Sequence, residues 1–205
     1  MSGRRRPLGG ARLVGFAALL LLAMAALILA TAGSGEAGLR MLVRATARSS
    51  LLLFGAAFTA SSLVRLFPHP ETRWLLRERR YLGLSFAVSH ALHLIAILAL
   101  TLVLGDAFTV DAVTLVFGGG AFGMIALMAA TSSDRAVAWL GPRRWRALHG
   151  LGAWWVWIVF AFSYSGRGVE SLVRGQESPV YLLPMLLVWA MLGARLAAFL
   201  RARRP

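Results

Sequence analysis

From Tyr81 to Leu104 the chain carries no charged side chain, and two histidines, His90 and His93, sit near the middle of that run. At about 1.5 Å per residue a helix of this length matches a hydrocarbon core of about 30 Å. Backbone polar groups find no water inside a bilayer, so a lone apolar stretch this long is stable there only as a helix. Five further runs of similar character follow the same reasoning. They predict spans at about 13–32, 46–67, 81–105, 112–133, 147–166 and 179–200. Residues 13–200 are then an all-α integral membrane domain, a bundle of six transmembrane helices. Composition agrees, since 59% of the 205 residues are hydrophobic and 15% charged, far from the average soluble domain.

The segments between the runs carry the topology. Residues 1–12 read as a basic N-terminus and 201–205 as a basic tail. Arg4 to Arg6 with Ala30-Thr31-Ala32 also fit a cleaved signal peptide, but the apolar run is long for one and favours a retained first helix. Pro68 to Arg80 is a polar connector that begins with a proline-framed break. Asp134 to Leu140 is a short amphipathic segment with Ser133 as its N-cap, and Pro142 suits the first turn of the fifth long helix. Ser165 to Ser178 reads as a polar loop. All 22 basic residues are arginine, and 17 of them fall on one side of the predicted topology, leaving 5 on the other. The positive-inside rule then places both termini in the cytoplasm. Glu36, Asp106, Asp111, Glu170 and Glu177 lie on the opposite side.

The net charge of +14 does not imply a nucleic-acid partner, because the arginines sit in short clusters between apolar runs. The absence of cysteine excludes thiolate catalysis, disulfides and cysteine-ligated metal centres. No Asp, Glu or Lys lies in the spans, which argues against an ion-coupled transporter. No nucleophile–base pair or metal-hydrolase pattern is present. Met124, Met128 and the tryptophans at 154, 155 and 157 read as packing or interfacial residues. Gly118 to Gly120 with Gly123 form a small-residue face suited to close helix packing.

The four histidines differ. His69, framed by prolines, reads as a solvated loop residue, and His149, just beyond Arg146, as a residue near the interface. His90 and His93 are three apart, so a helix presents them on one face. Buried imidazoles there either bond a neighbouring helix or ligate a cofactor, and neutral imidazole is the usual axial ligand of haem b.

Two stretches carry a resemblance. Arg79-Arg80-Tyr81-Leu82-Gly83-Leu84 leading to Leu92-His93-Leu94 resembles the third span of ferric-reductase-like transmembrane proteins. Ala130-Thr131-Ser132-Ser133 through Leu140-Gly141-Pro142-Arg143-Arg144-Trp145-Arg146-Ala147-Leu148-His149 resembles the connector into their fifth span. The closer branch is the haem-binding membrane subunit of the bacterial periplasmic methionine sulfoxide reductase system. The resemblance covers roughly residues 45 to 165. It implies a multi-pass protein of the bacterial inner (plasma) membrane that holds haem b and passes electrons. The donor would be a cytoplasmic flavoprotein or quinol and the acceptor a periplasmic protein. It implies His93 and His149 as axial ligands of the haem iron, with His90 as an alternative. Arg80 and Arg146 are candidates for propionate or headgroup contacts.

The sequence departs from that family in one place: the second fifth-span histidine is missing, and Phe162 stands near its position. His149 is 3 residues beyond Arg146 and His93 is 13 beyond Arg80, a difference in depth of roughly 15 Å. Three readings follow. The first is a membrane b-type haem protein that transfers electrons, without a flavin or nicotinamide domain of its own. The second is a haem-less scaffold or partner subunit. The third is a quinone-reactive subunit using His149 and Arg146.

Overall fold

The computed structural model describes residues 9–175 and 179–203. It is all-α, with no strand among the described residues. Its helices are α1 (Ala11–Ala32), α2 (Glu36–Leu66), α3 (Pro70–Arg77), α4 (Arg79–Leu104), α5 (Ala112–Ala130), α6 (Asp134–Leu140), α7 (Pro142–Val173) and α8 (Pro179–Arg201), with a short 3-10 turn at Gly105–Ala107. Six of these, α1, α2, α4, α5, α7 and α8, are long and apolar enough to cross a membrane. The predicted six-span, all-α bundle is therefore present. Arg4 to Arg6, Glu177, Ser178 and Arg204 lie outside the described residues.

Two helices run further than the apolar runs suggest. α2 begins at Glu36, not near Thr46, and Glu36 pairs with Arg40 at 2.7 Å one turn along. α7 continues to Val173 through residues predicted as loop. There Glu170 pairs with Arg174 at 2.6 Å, and Ser165 Oγ accepts the Trp189 Nε1 proton at 3.0 Å. Polar residues spaced at i,i+4 support a helix leaving the bilayer as well as apolar ones support it inside. The connector after Phe67 also folds: His69 caps α3, whose Thr72 hydroxyl accepts the His69 amide at 3.2 Å. Asp134–Leu140 is a helix as predicted, with Ser133 Oγ accepting the Ala136 amide at 3.1 Å, and Pro142 opens α7. Asp111 caps α5 by accepting from both the hydroxyl and the amide of Thr114, and the hydroxyl above all holds its carboxyl below the usual carboxylate range.

α2 packs against α1, α4 and α8, and α7 packs against α5 and α8. At the α2/α4 seam Thr46, Ser50, Ser85 and Ser89 are all fully buried, and Ser50 and Ser89 share a hydrogen bond of 2.9 Å. Lipid is as apolar as leucine, so helices associate in it through close packing and hydrogen bonds rather than hydrophobic burial. Small hydroxyl residues supply both. Beside this seam, Phe54, Phe58, Phe86 and Phe160 pack ring against ring, with Phe54 lying 5.0 to 5.5 Å from each of the others. Large exposed apolar side chains on the outer faces, such as Leu19, Leu102 and Leu115, are what lipid contact requires.

One polar face gathers the arginine-bearing ends. Glu78 Oε2 accepts the Gly10 amide at 2.7 Å, Arg80 pairs with Asp134 at 2.8 Å, and Arg201 donates to the Leu66 carbonyl at 2.9 Å. The predicted glycine face of α5 is only partly used. A Cβ on Gly120 would stand 3.1 Å from Trp155, whereas Gly118, Gly119 and Gly123 have open space beside them.

Glycine 38 is required by its neighbours, because an added Cβ would collide with the Gly33 carbonyl oxygen, a backbone atom that cannot swing away. Gly38→Ala is expected to lower stability in detergent by about 1–3 kcal/mol through overpacking. Gly118→Ala, with room and a better helix propensity, should be neutral or stabilising by up to about 1 kcal/mol. Thermal unfolding of the two variants side by side checks the contrast.

Candidate functional site

α4 presents its histidines as the three-residue spacing predicts. Their ring centroids are 5.2 Å apart, and both face inward. His93 Nδ1 lies 3.0 Å from the hydroxyl of Thr46 on α2. That hydroxyl has one proton, which it gives to its own helix at the Leu42 carbonyl, 2.8 Å away. With the proton committed there, Nδ1 is placed to donate to the threonine oxygen, which orients the ring. A ring nitrogen held this way by an outer partner is how metal-binding histidines are commonly oriented.

His90 is enclosed by aromatic rings. Phe122 of α5 lies 4.6 Å away, Phe86 of α4 5.4 Å and Phe160 of α7 6.0 Å. The residue is only 8% exposed, yet its Nδ1 has no hydrogen-bond partner. Burying an unsatisfied polar atom costs roughly 1–3 kcal/mol, so this nitrogen is the strongest local indication of a ligand. Tyr164, 7% exposed, has an equally unpartnered hydroxyl, and its ring stacks on Phe160 at 6.0 Å. Tyr164 does not stand out in the sequence, where it reads as one more aromatic at the end of an apolar run.

His149 is placed elsewhere. Its Nε2 is 3.0 Å from the Thr131 hydroxyl, which itself donates to the Leu127 carbonyl at 2.6 Å. The Trp145 ring stacks on His149 at 4.2 Å, and Trp145 Nε1 donates to the Thr131 carbonyl at 2.9 Å. Threonine 131 is thus gripped at both its side chain and its backbone by the start of α7. The two ends of the matched connector stretch, Thr131-Ser132 and Trp145 to His149, meet as a clasp between α5 and α7. His149 does not join the α4 pair: no group of three or more potential metal-ligating His, Cys, Asp or Glu side chains occurs among the described residues. His69 is exposed on the α3 cap. Arg80 is committed to Asp134 and also lies over the Tyr81 ring at 5.8 Å, while Arg146 is exposed.

A haem b ligated from both α4 and α7 finds no second imidazole here. Phe160 is the α7 residue facing His90, His149 is held in its clasp, and Phe162 is 75% exposed on the outer surface. A single axial imidazole from α4 fits the donor set better, because Thr46 orients the His93 ring and the buried His90 Nδ1 has no partner.

The tryptophans of α7 tie it to its neighbours. Trp157 Nε1 donates to the Val188 carbonyl and Trp155 Nε1 to the Phe117 carbonyl, each at 3.2 Å. Arg195, in an otherwise apolar part of α8, donates to the Phe58 carbonyl at 2.9 Å and covers the Phe58 and Trp154 rings at 4.2 and 5.0 Å. An arginine six residues before the basic end of the last span was its signal in the sequence.

The clasp has a direct test. His149→Leu and Thr131→Val should each destabilise by about 0.5–1.5 kcal/mol. Because they remove the same bond, the double variant should cost clearly less than the sum of the two. Unfolding of the four proteins of this cycle in one detergent measures the coupling.

No family model matches the chain, and no curated protein or solved structure matches it.

Proposed function

We propose that the chain is a membrane b-type haem protein of the ferric-reductase-like kind. In this reading it passes electrons between a separate cytoplasmic donor, a flavoprotein or quinol, and an acceptor across the bilayer. The observation that carries the proposal is the pair on α4: His93 with its ring oriented by Thr46, beside His90 with a buried, unpartnered Nδ1. The resemblance of the third-span and connector motifs supports it, and the two ends of the connector stretch meet in the α5–α7 clasp.

His93 is the axial ligand in this reading, and Thr46 keeps its ring in one tautomer and one orientation. A haem b bound there would supply a one-electron iron couple. The phenylalanines at 54, 86, 122 and 160 keep water away from the α4 imidazoles. The α7 clasp holds Phe160 at the depth of His90. Arg80 and Arg146 act as positive-inside charges, and both chain ends lie in the cytoplasm of a bacterial inner membrane. The skewed arginine distribution and the gathering of arginine-bearing ends on one face favour that orientation.

A second reading, a haem-less scaffold, is favoured by the packing of Phe122 and Phe160 around His90. The dithionite-reduced minus oxidised spectrum, with a pyridine haemochrome assay on protein expressed with haem precursor, separates the two. The haem reading expects an α-band that His93→Ala removes. Thr46→Val should weaken haem retention about 10–100-fold, as loss of an outer-shell partner does. His149→Ala should leave the spectrum in place, because that histidine serves the clasp. A folded, colourless wild-type protein establishes the scaffold instead.

Topology is tested separately with reporters fused to either end. Cytoplasmic fluorescence without periplasmic phosphatase activity is expected at both.

A further inference from the structure

The α2/α8 seam opens towards the outside of the bundle in two clefts that follow one another. The inner one, of about 270 Å³, is lined by Gly55, Thr59 and Leu63 of α2 and by Ala190 and Ala194 of α8, among others. The outer one, of about 650 Å³, lies between Leu66 and the last turns of α8 and ends at Arg201. Leu52 to Leu66 and Leu187 to Arg201 each cover about 21 Å at about 1.5 Å per residue. Taken together, the residues lining the two clefts extend from the polar face past the centre of a hydrocarbon core of about 30 Å. Small side chains keep it open, and Met191 occupies the space beside Gly55 where a Cβ would otherwise stand.

Among the lining residues the charged one is Arg201 at the mouth, while Arg195 of the same seam turns away to the Phe58 carbonyl and the Trp154 ring. Arg201 spends one donor on the Leu66 carbonyl at 2.9 Å, and a guanidinium has five. Arg65 and Arg203 are exposed nearby in sequence on the same two helix ends. We propose that this groove binds an anionic phospholipid, its acyl chain lying between α2 and α8 and its phosphate on Arg201. A neutral sterol or an apolar helix would use the walls but leave the arginine without a counter-ion. Basic pockets between transmembrane helices at the cytoplasmic side are suited to acidic headgroups. The site is independent of the α4 histidines.

The test is native mass spectrometry of the delipidated full chain with equimolar phosphatidylglycerol and phosphatidylcholine. Phosphatidylglycerol should be retained in preference by about fivefold, the factor that roughly one arginine near an anionic surface provides. Arg201→Gln should abolish the preference, and Ala194→Phe should reduce bound lipid of both kinds by filling the groove. Equal retention of the two lipids, or a preference that survives Arg201→Gln, overturns the proposal. So does a dimer that Ala194→Phe dissociates, since a second copy would then occupy the groove. Should Arg201→Gln fail to fold, Ala194→Phe decides alone: undiminished phosphatidylglycerol binding overturns the site.

Discussion

The bundle depends on how closely α2 and α4 approach. Thr46, Ser50, Ser85 and Ser89 have no exposed surface, and the only polar chemistry they offer is a hydroxyl each. In a bilayer such bonds are worth about 0.6 kcal/mol on average and at most about 1.7, so no single one holds the helices together. What they provide is register. Ser50 meets Ser89 and Thr46 meets His93, and those two contacts set the rotation of α4 about its axis. That rotation turns His90 and His93 inward and exposes Ile95, Leu98 and Leu102 to lipid. A seam of larger apolar residues would pack equally well in several rotations.

Much of this architecture is legible in the chain, because the bilayer limits the alternatives. Apolar runs of the right length give six helices, and Ser133 and Pro142 mark a helix start by local chemistry alone. Helix ends outside the apolar core are less legible. Glu36 with Arg40 and Glu170 with Arg174 extend α2 and α7 by i,i+4 pairing, which a search for apolar runs ignores. The inward placement of His90 and His93 follows from spacing. The partners that distinguish them do not: Thr46 lies 47 residues from His93 and Phe160 lies 70 from His90. The glycine face of α5 shows the opposite failure, a readable pattern of which Gly120 alone meets a neighbour.

The two histidine environments divide the labour between holding and receiving. His149 has a satisfied ring, an aromatic stack and a threonine whose carbonyl is tied by the same helix turn. Nothing about it asks for a ligand. His90 and Tyr164 are the converse: buried donors or acceptors with nothing to bond, flanking Phe160 on either side. Buried polar atoms are nearly always satisfied, so unsatisfied ones concentrate interest on the α4–α7 side of the core.

Arg195 has a consequence for how the chain enters the membrane. An arginine well inside a span costs about 2.5–3.5 kcal/mol to insert at a helix centre, and less toward its ends. Its partners here, the Phe58 carbonyl and the rings of Phe58 and Trp154, belong to helices translated earlier. The last span therefore arrives carrying a charge that only a partly assembled bundle can accommodate. Lateral docking onto α2 and α7 becomes part of its insertion, which makes α8 a dependent helix and its arrival a report that the others are already in place.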